Sequence, residues 1–487
     1  MRITNKMMTN NVMNSINRNK NKLNDLESQY TSGKKIQKPS DDPIIAVRAL
    51  KLRSNISELE QYKEKNIPDA MSWMEVSESA IDNINELIKK MNEYCVQAAN
   101  DTLSVSARSS ITDNLAQLKA QIYQECNANY AGRYVFSGFK TNSSLTFENG
   151  SQDLKYTINQ TFSGSEIEKI QKVTGAYTVE DFKTSSTRED FKESPVLNEN
   201  VYRIKLAYDN LDEEDVVVST PDGNRAVRYM TSTDEGAYEA ADGEIIVIRD
   251  TGELIMNNNT YSQLRDYGKD EIKIEYQKTV FKTGDVKPEH YYDCTSVNQY
   301  GEVKNYEKAQ QDIFYEVNFS QSMKVNTQLS TYLGNEVARE IDELISVVQD
   351  VENVEKKMVE VDKLLTDPNL SDTQKQALET MREQLSTEFV LKSSIMTAHF
   401  EKGIENTNKY QTNLNIALAD LGSRYQRLEL TQSRLGEQAD DFTELLSTNE
   451  DVDLVETYVN LSSAESIYTA SLSAASKIAK NSLLDFI

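Results

Sequence analysis

A chain of 487 residues exceeds the size at which one hydrophobic core stops growing, so several domains are expected. Its formal charge of −25 offers no basic surface for a phosphate backbone, and no apolar run is long enough to span a bilayer, so neither nucleic-acid binding nor membrane insertion is expected. Three scattered cysteines (Cys95, Cys126, Cys294), two histidines (His290, His399) and the absence of HExxH, GxSxG, phosphate-loop and CxxC motifs leave no catalytic residue, metal ligand or cofactor site to assign.

The first zone reads as helix. Val12, Ile16, Leu23, Leu26 and Tyr30 fall on one stripe at spacings of three and four, with Asn19 at the remaining position. Gly33 and Pro39-Ser40-Asp41-Asp42-Pro43 break it. Ser40 or Asp42 can cap the next helix, whose first turn suits Pro43. Ile45, Ala49, Leu52, Ile56 and Leu59 follow on that helix, then Met74, Ile81, Ile84, Ile88, Met91 and Cys95. This is a coiled-coil seam, and its register slips once near Pro68, which predicts a stutter or kink there. A shorter helix carries Ile111, Leu115, Leu118 and Ile122.

The middle zone changes period. Tyr202, Ile204, Leu206 and Tyr208 alternate with outward residues, as do Ile272, Ile274 and Tyr276. Val216 to Val218 leads into the turn Pro221-Asp222-Gly223-Asn224. The stretch from Ile245 to Met256, interrupted by Asp250-Thr251-Gly252-Glu253, reads as a hairpin.

Helical period then returns. Val337 to Leu365 and Leu378 to Phe389 are separated by Thr366-Asp367-Pro368-Asn369. A long seam follows through Phe400, Ile404, Leu414, Leu418, Leu421, Tyr425, Leu428, Leu435, Ala439, Phe442 and Leu446. A polar break from Asn449 to Asp453 precedes a last helix bearing Leu454, Tyr458, Leu461, Tyr468, Leu472, Ala475, Ala479 and Phe486.

The fold class is therefore α+β: a long helical coiled coil or bundle formed by the first and last segments, with a β-rich domain inserted between them. The expected domains are an assembly segment over residues 1–39, disordered in the monomer; the first half of a helical core domain, 40–140; the β-rich insert, 141–320; the second half of the helical core, 321–448; and an assembly helix, 449–487. The core of the intrachain coiled coil is expected at Ile56, Ile81, Ile84, Ile88, Leu414, Leu418, Leu421, Leu428 and Leu435. A helix with a narrow apolar stripe needs a partner along its length. The stripes of the outermost segments, Val12, Ile16, Leu23 and Leu26 at one end and Leu454, Tyr458, Leu461, Tyr468, Leu472, Ala475, Ala479 and Phe486 at the other, are expected to lack one within the subunit and to be buried between subunits.

Several short motifs agree with this reading. Met1-Arg2-Ile3-Thr4, Lys38-Pro39-Ser40-Asp41-Asp42-Pro43 and Gln97-Ala98-Ala99-Asn100-Asp101 resemble the N-terminal region of bacterial flagellins. Gly132-Arg133-Tyr134-Val135-Phe136-Ser137-Gly138, Asn449-Glu450-Asp451-Val452-Asp453-Leu454 and Ser482-Leu483-Leu484-Asp485-Phe486-Ile487 resemble the hook-associated branch of that superfamily. The resemblance covers about the first 140 and the last 90 residues. It implies an extracellular structural protein of the flagellum, exported by the flagellar type III apparatus without a cleaved signal peptide. It also implies four partners: the first hook-associated protein (FlgK), flagellin, further copies of itself in a junction ring, and an export chaperone. Flagellin itself is the nearest rival reading. A surface- or glycan-binding module in the insert is the rival of another class, with Tyr291 and Tyr292 as candidate contacts, although aromatics at strand spacing are more often core.

Overall fold

The computed structural model describes residues 5–100, 103–174, 182, 196–234, 236–368 and 370–484. They form two compact units. The first comprises Met1–Ala70, Tyr315–Met323 and Gln426–Ile487, and the second Met71–Phe314 and Lys324–Tyr425. The protein is α+β, with helical outer segments and a β-rich middle.

Helix α1 spans Asn5–Ser32 and α2 spans Pro43–Gln61. Asp42 caps α2, its carboxylate accepting from the amides of Ile44 and Ile45, and Pro43 occupies the first turn. The register slip expected near Pro68 takes the form of a π-helical turn, Tyr62–Asn66, in which the Ile67 amide donates to the Tyr62 carbonyl. One residue is absorbed there, so α3 (Ile67–Ala98) resumes the seam in a new phase. Helix α4 spans Val105–Cys126, and Ile111, Leu115, Leu118 and Ile122 are buried on it.

The insert belongs to the second unit and is built on two sheets. Strands β1 (Asn129–Tyr130) and β2 (Arg133–Tyr134) form a small hairpin before it. The remaining strands run β3 (Leu154–Phe162), β4 (Glu168–Thr174), β5 (Leu197–Lys205), β6 (Val217–Thr220), β7 (Gly223–Asn224), β8 (Ala226–Met230), β9 (Glu244–Ile248), β10 (Glu253–Met256), β11 (Ile272–Lys278), β12 (Asp293–Asn298) and β13 (Val303–Tyr306). Short helices α5 (Asn258–Leu264) and α6 (Pro288–Tyr291) lie among them.

The five-stranded sheet has the order β4-β5-β10-β9-β8, with only β8–β9 parallel. The six-stranded sheet has the order β13-β12-β3-β11-β6-β7 and is antiparallel throughout. Ile272, Ile274 and Tyr276 point inward on β11 while Lys273 and Glu275 point out, as the alternation requires. The β9–β10 hairpin is paired Glu253 to Ile248. Gly252 closes it at φ +65°, and a Cβ there would meet the Tyr208 carbonyl oxygen at 2.0 Å, so the position requires glycine. The buried Gln160 on β3 accepts from the Tyr276 hydroxyl on β11 and from the Ala207 amide, which satisfies these polar groups away from solvent.

A hairpin of β14 (Phe314–Asn318) and β15 (Gln321–Lys324) precedes the last helices. Helix α7 spans Glu336–Leu365, α8 spans Asp372–Glu450 and α9 spans Leu454–Leu484. The two separate helical stretches read from the sequence after Leu378 are one helix, α8.

Within the second unit α3 and α8 run antiparallel. Glu75 meets the Tyr425 hydroxyl, Asn85 meets Asn415, and Asn92 meets Thr407. The seam on α8 is rotated from the one expected. Leu414 and Leu421 are buried with Ala417 and Arg424, and in the first unit Leu428 and Leu435 are buried with Thr431, while Leu418 and Tyr425 are only half-buried. A buried arginine is tolerated because the Arg424 guanidinium donates to the Asn326 carbonyl and the Thr327 hydroxyl. On α3 Ile81, Ile84 and Ile88 are buried; Ile56, on α2 in the first unit, is half-buried.

The insert is fixed to the helices of its unit by a buried charge network. Arg203 on β5 bridges Glu253 on β10 and Glu343 on α7, each at 2.5 Å, and Glu168 on β4 at 3.0 Å. Lys205 also binds Glu343, Lys402 on α8 binds Glu168 at 2.7 Å, and His399 Nδ1 lies 3.4 Å from Glu343. Burial opposes the charge on Glu168, Glu253 and Glu343, and the neighbouring cations outweigh it, holding all three below the usual carboxylate range.

Candidate assembly surface

The first unit carries the outermost helices. Helices α1 and α9 pack antiparallel: Tyr30 and Tyr458 have ring centroids 5.8 Å apart, and Lys34 and Asp451 form an antiparallel bridge at the root of the pair. The stripe on α1 reads Val12, Ile16, Asn19, Leu23, Leu26, with Ile16 buried and the others half-buried. The facing stripe on α9 reads Thr457, Leu461, Ala464, Tyr468, Ser471, Ala475, with Thr457 and Ala464 buried and the rest half-buried. The expectation that these stripes lack a partner within one subunit is therefore corrected. Both have the spacing of a coiled-coil strand, so the two ends satisfy each other.

The root of the pair is pinned by charge. Glu450, at the end of α8, accepts two hydrogen bonds from Arg53 of α2, at 2.7 and 2.8 Å, and pairs with Lys34. Lys34 also pairs with Asp451, which accepts from the Ser447 hydroxyl at 2.6 Å. Backbone bonds join the same strands: the Lys35 amide donates to the Glu450 carbonyl and the Val452 amide to that of Gly33. Gly33 sits at φ +71°, the left-handed turn that ends α1.

Of the residues expected at an intersubunit seam, Leu454, Tyr458 and Leu472 are exposed, and Val12, Ile16, Leu23, Leu26, Leu461, Tyr468 and Ala475 lie on the α1–α9 contact. Ala479 is on α9, but its surroundings lie outside the described residues, as does Phe486 entirely.

Other apolar side chains face outward. Val455 and Val459 on α9 are 75% and 59% exposed, and Met7 and Met13 are exposed on α1. On α2, Ile44 and Val47 are 67% and 65% exposed, with Leu50 also outside. The sequence reading missed this face of α2. Its signal was present: the run Pro43-Ile44-Ile45-Ala46-Val47 is apolar on all sides, which in a surface helix means that a second face awaits cover.

The second unit has no comparable face at the proposed glycan contacts. Tyr291 is buried and Tyr292 half-buried, their rings packing on each other and, for Tyr292, on Tyr208. Those two tyrosines are core, as aromatics at strand spacing commonly are, and form no exposed contact for the rival reading. Cys95, Cys126 and Cys294 are buried, and burial pushes each thiol up to about 12, so none is reactive at neutral pH. Among the described residues no helix is long and apolar enough to cross a membrane, and no group of three or more histidines, cysteines and carboxylates is placed to hold a metal.

Residues 3–141 match the family model for the bacterial flagellin N-terminal helical region, and residues 404–487 match that for the bacterial flagellin C-terminal helical region. The chain is 32% identical over 142 residues to flagellar hook-associated protein 3 of Salmonella typhimurium, a stretch covering 29% of this chain and 44% of that protein. It is 29% identical over 127 residues to a flagellin of Clostridium tyrobutyricum, covering 26% of this chain and 33% of the relative. The matched stretch is thus less than half the length of either relative. Among solved structures, a putative flagellar hook-associated protein from Vibrio parahaemolyticus overlaps 84% of this chain and all of that one at 13% identity, with a TM-score of 0.40, which is too loose an overlap to carry an argument.

Proposed function

We propose that this chain, a member of the bacterial flagellin superfamily, is a structural adaptor at the junction between the flagellar hook and the filament. The observation that carries the reading is the pairing of α1 with α9 into one antiparallel element whose outer surface still exposes Val455, Val459, Met7 and Met13. An element that has satisfied its inner stripe and leaves apolar side chains outside is prepared for burial against other subunits. The hook-associated relative, with the flagellin helical regions at both ends, directs that expectation to the junction rather than to the filament shaft.

In this reading the first hook-associated protein lies on one side and flagellin on the other, with further copies of the chain completing a ring. Export runs through the flagellar apparatus, where a chaperone covers the exposed face of α9 before assembly. The work is mechanical, and the buried charge network around Arg203 holds the insert while the outer helices carry the load.

The test is deletion of the gene in the source bacterium with complementation by the full chain. Hooks without filaments, and flagellin in the medium, are expected. Filaments of normal length on the deletion strain would refute the adaptor role, and hooks bearing a complete junction but no filament subunit would favour the flagellin reading instead.

A further inference from the structure

We propose that the solvent face of α2 receives a stripe of α8 from a second copy of this chain, joining copies head to tail. The proposal rests on the junction reading and adds to it the partner and the geometry of the contact.

Ile44, Val47, Arg48 and Lys51 lie at i, i+3, i+4 and i+7 on α2 and are all exposed, so they form one stripe that is half apolar and half cationic. Glu437, Asp440, Asp441 and Glu444 have the same spacing on α8 and are likewise exposed, forming an anionic stripe with the exposed Leu445 at its edge. No lysine or arginine occurs between Arg434 and Lys477 to neutralise it. Among the described residues, none of these six charged side chains has an ion-pair partner in its own chain.

The two stripes cannot meet within one copy. Helix α2 packs on the end of α8 through its opposite face: Ala46 and Ala49 are buried, Arg53 holds Glu450, and the Asn449 side chain donates to the Ile45 carbonyl. Helix α8 turns Leu435, Phe442, Leu446 and Glu450 inward, which places its acidic stripe on the far side. At 3.6 residues per turn both stripes sit about half a turn from the mutual contact. They therefore look outward on opposite sides of the α2–α8 pair. Complementary surfaces on opposite sides of one subunit make a heterologous contact, which repeats from copy to copy and closes into a ring when the rotation allows. Opposite charge sets the register of the contact, and Ile44 and Val47 supply the apolar area.

Two sets of variants test this in cells carrying the full chain. Variant one reverses the acidic stripe (Asp440→Lys, Asp441→Lys, Glu444→Lys) and variant two the basic one (Arg48→Glu, Lys51→Glu). Each alone should lose filaments, while a chain carrying both sets should regain them, because the complementarity is restored with inverted sign. A chain with Lys51→Cys and Asp441→Cys should give a ladder of disulfide-linked oligomers in flagella sheared from the cells after mild oxidation, since the native cysteines are buried. The ladder keeps the proposal testable even where a reversed chain folds poorly. Normal filaments with either single reversal, no recovery in the combined chain, or filaments without the ladder would each overturn a contact between copies. None of those results touches the junction reading, which stands or falls on the deletion strain.

Discussion

Replacing Leu421 by aspartate tests the seam that joins the two helical halves. Leu421 is fully buried on α8, and the contacts of Glu75 with Tyr425 and Asn85 with Asn415 set it level with the turn from Ser77 to Ile81 on α3, where Ala80 and Ile81 are also buried. Loss of the leucine removes about 1.5–3 kcal/mol of burial and leaves a partly filled cavity. A carboxylate in that space adds several kcal/mol of desolvation, and the seam's own cation, Arg424, is already engaged by Asn326, Thr327 and Asp420. The total, at least about 5 kcal/mol, rivals the whole stability of an ordinary domain. The urea midpoint of the full chain, followed by far-ultraviolet circular dichroism, should fall steeply at pH 7. The deficit relative to wild type should shrink as the pH is lowered from about 7 toward 5, because burial raises the carboxyl's folded-state pKa and the folded form takes up its proton first. Leu421→Asn should be destabilised without that pH dependence. Leu430→Asp, on a side chain of α8 that is 72% exposed, should change the midpoint little. An unchanged midpoint for Leu421→Asp, or an equal loss for Leu430→Asp, would show that the seam is misassigned.

The exposed Leu472 and the half-buried Ala475 separate assembly from folding: Leu472→Glu should abolish filament attachment with an unchanged melting curve, whereas Ala475→Glu should also loosen α1 from α9, read as lost protection of α1 in hydrogen exchange. Burial lowers His290 and His399 to about 4, despite Glu289 and Glu343 beside them, so both rings are neutral in the folded chain and charged in the unfolded chain below pH 6.5; stability should fall between about pH 6.5 and 4 by up to about 3 kcal/mol per ring, and His399→Gln should flatten that limb. Below that window the loss should continue as the depressed carboxyls titrate, Asp209 at about 2 and Glu343 well below its ordinary value among them, and urea titrations across pH should resolve the two limbs. In the isolated monomer, residues 5–32 and 454–484 should exchange their amides far faster than the buried turns of α3 around Ile81 and Ile84; equal protection would contradict assembly-dependent ordering.

Much of this was legible because helix and strand periods differ. The capped start of α2, the alternation on β11, the β9–β10 hairpin and the slip before Pro68 each depend on local spacing, which sequence carries directly. The rotation of the α8 seam was not legible. Arg424 and Thr431 look like surface residues until Asn326 and Thr327 supply partners from a distant loop, and Leu418 and Tyr425 look like better seam residues for the same reason. The Arg203 network was hidden likewise: Glu168, Glu253 and Glu343 come from three separate stretches of chain, and only the sheet register and α7 bring them to one guanidinium. For the candidate site, the stripes on α1 and α9 were readable, but their mutual pairing was not, since a stripe states that a partner exists and not where it lies.

That pairing explains why the outer helices can serve assembly. Among the described residues α1 buries Ile16 alone of its apolar side chains, and α9 buries Ala464 alone, so little apolar area is removed from water over some sixty residues of helix. Ordering a residue costs about 1–2 kcal/mol of backbone entropy, and a single well-buried aliphatic side chain returns about 1.5–3 kcal/mol. The pair therefore depends on its root, where Glu450, Arg53 and Lys34 fix the entry of both strands, and on whatever covers its outer surface. We infer that residues 5–39 and 449–484 reach their full order only when neighbouring subunits bury Val455, Val459, Met7 and Met13. On the proposed junction reading, an element held at one end and short of burial along its length would stay threadable during export and become rigid once neighbouring subunits close around it.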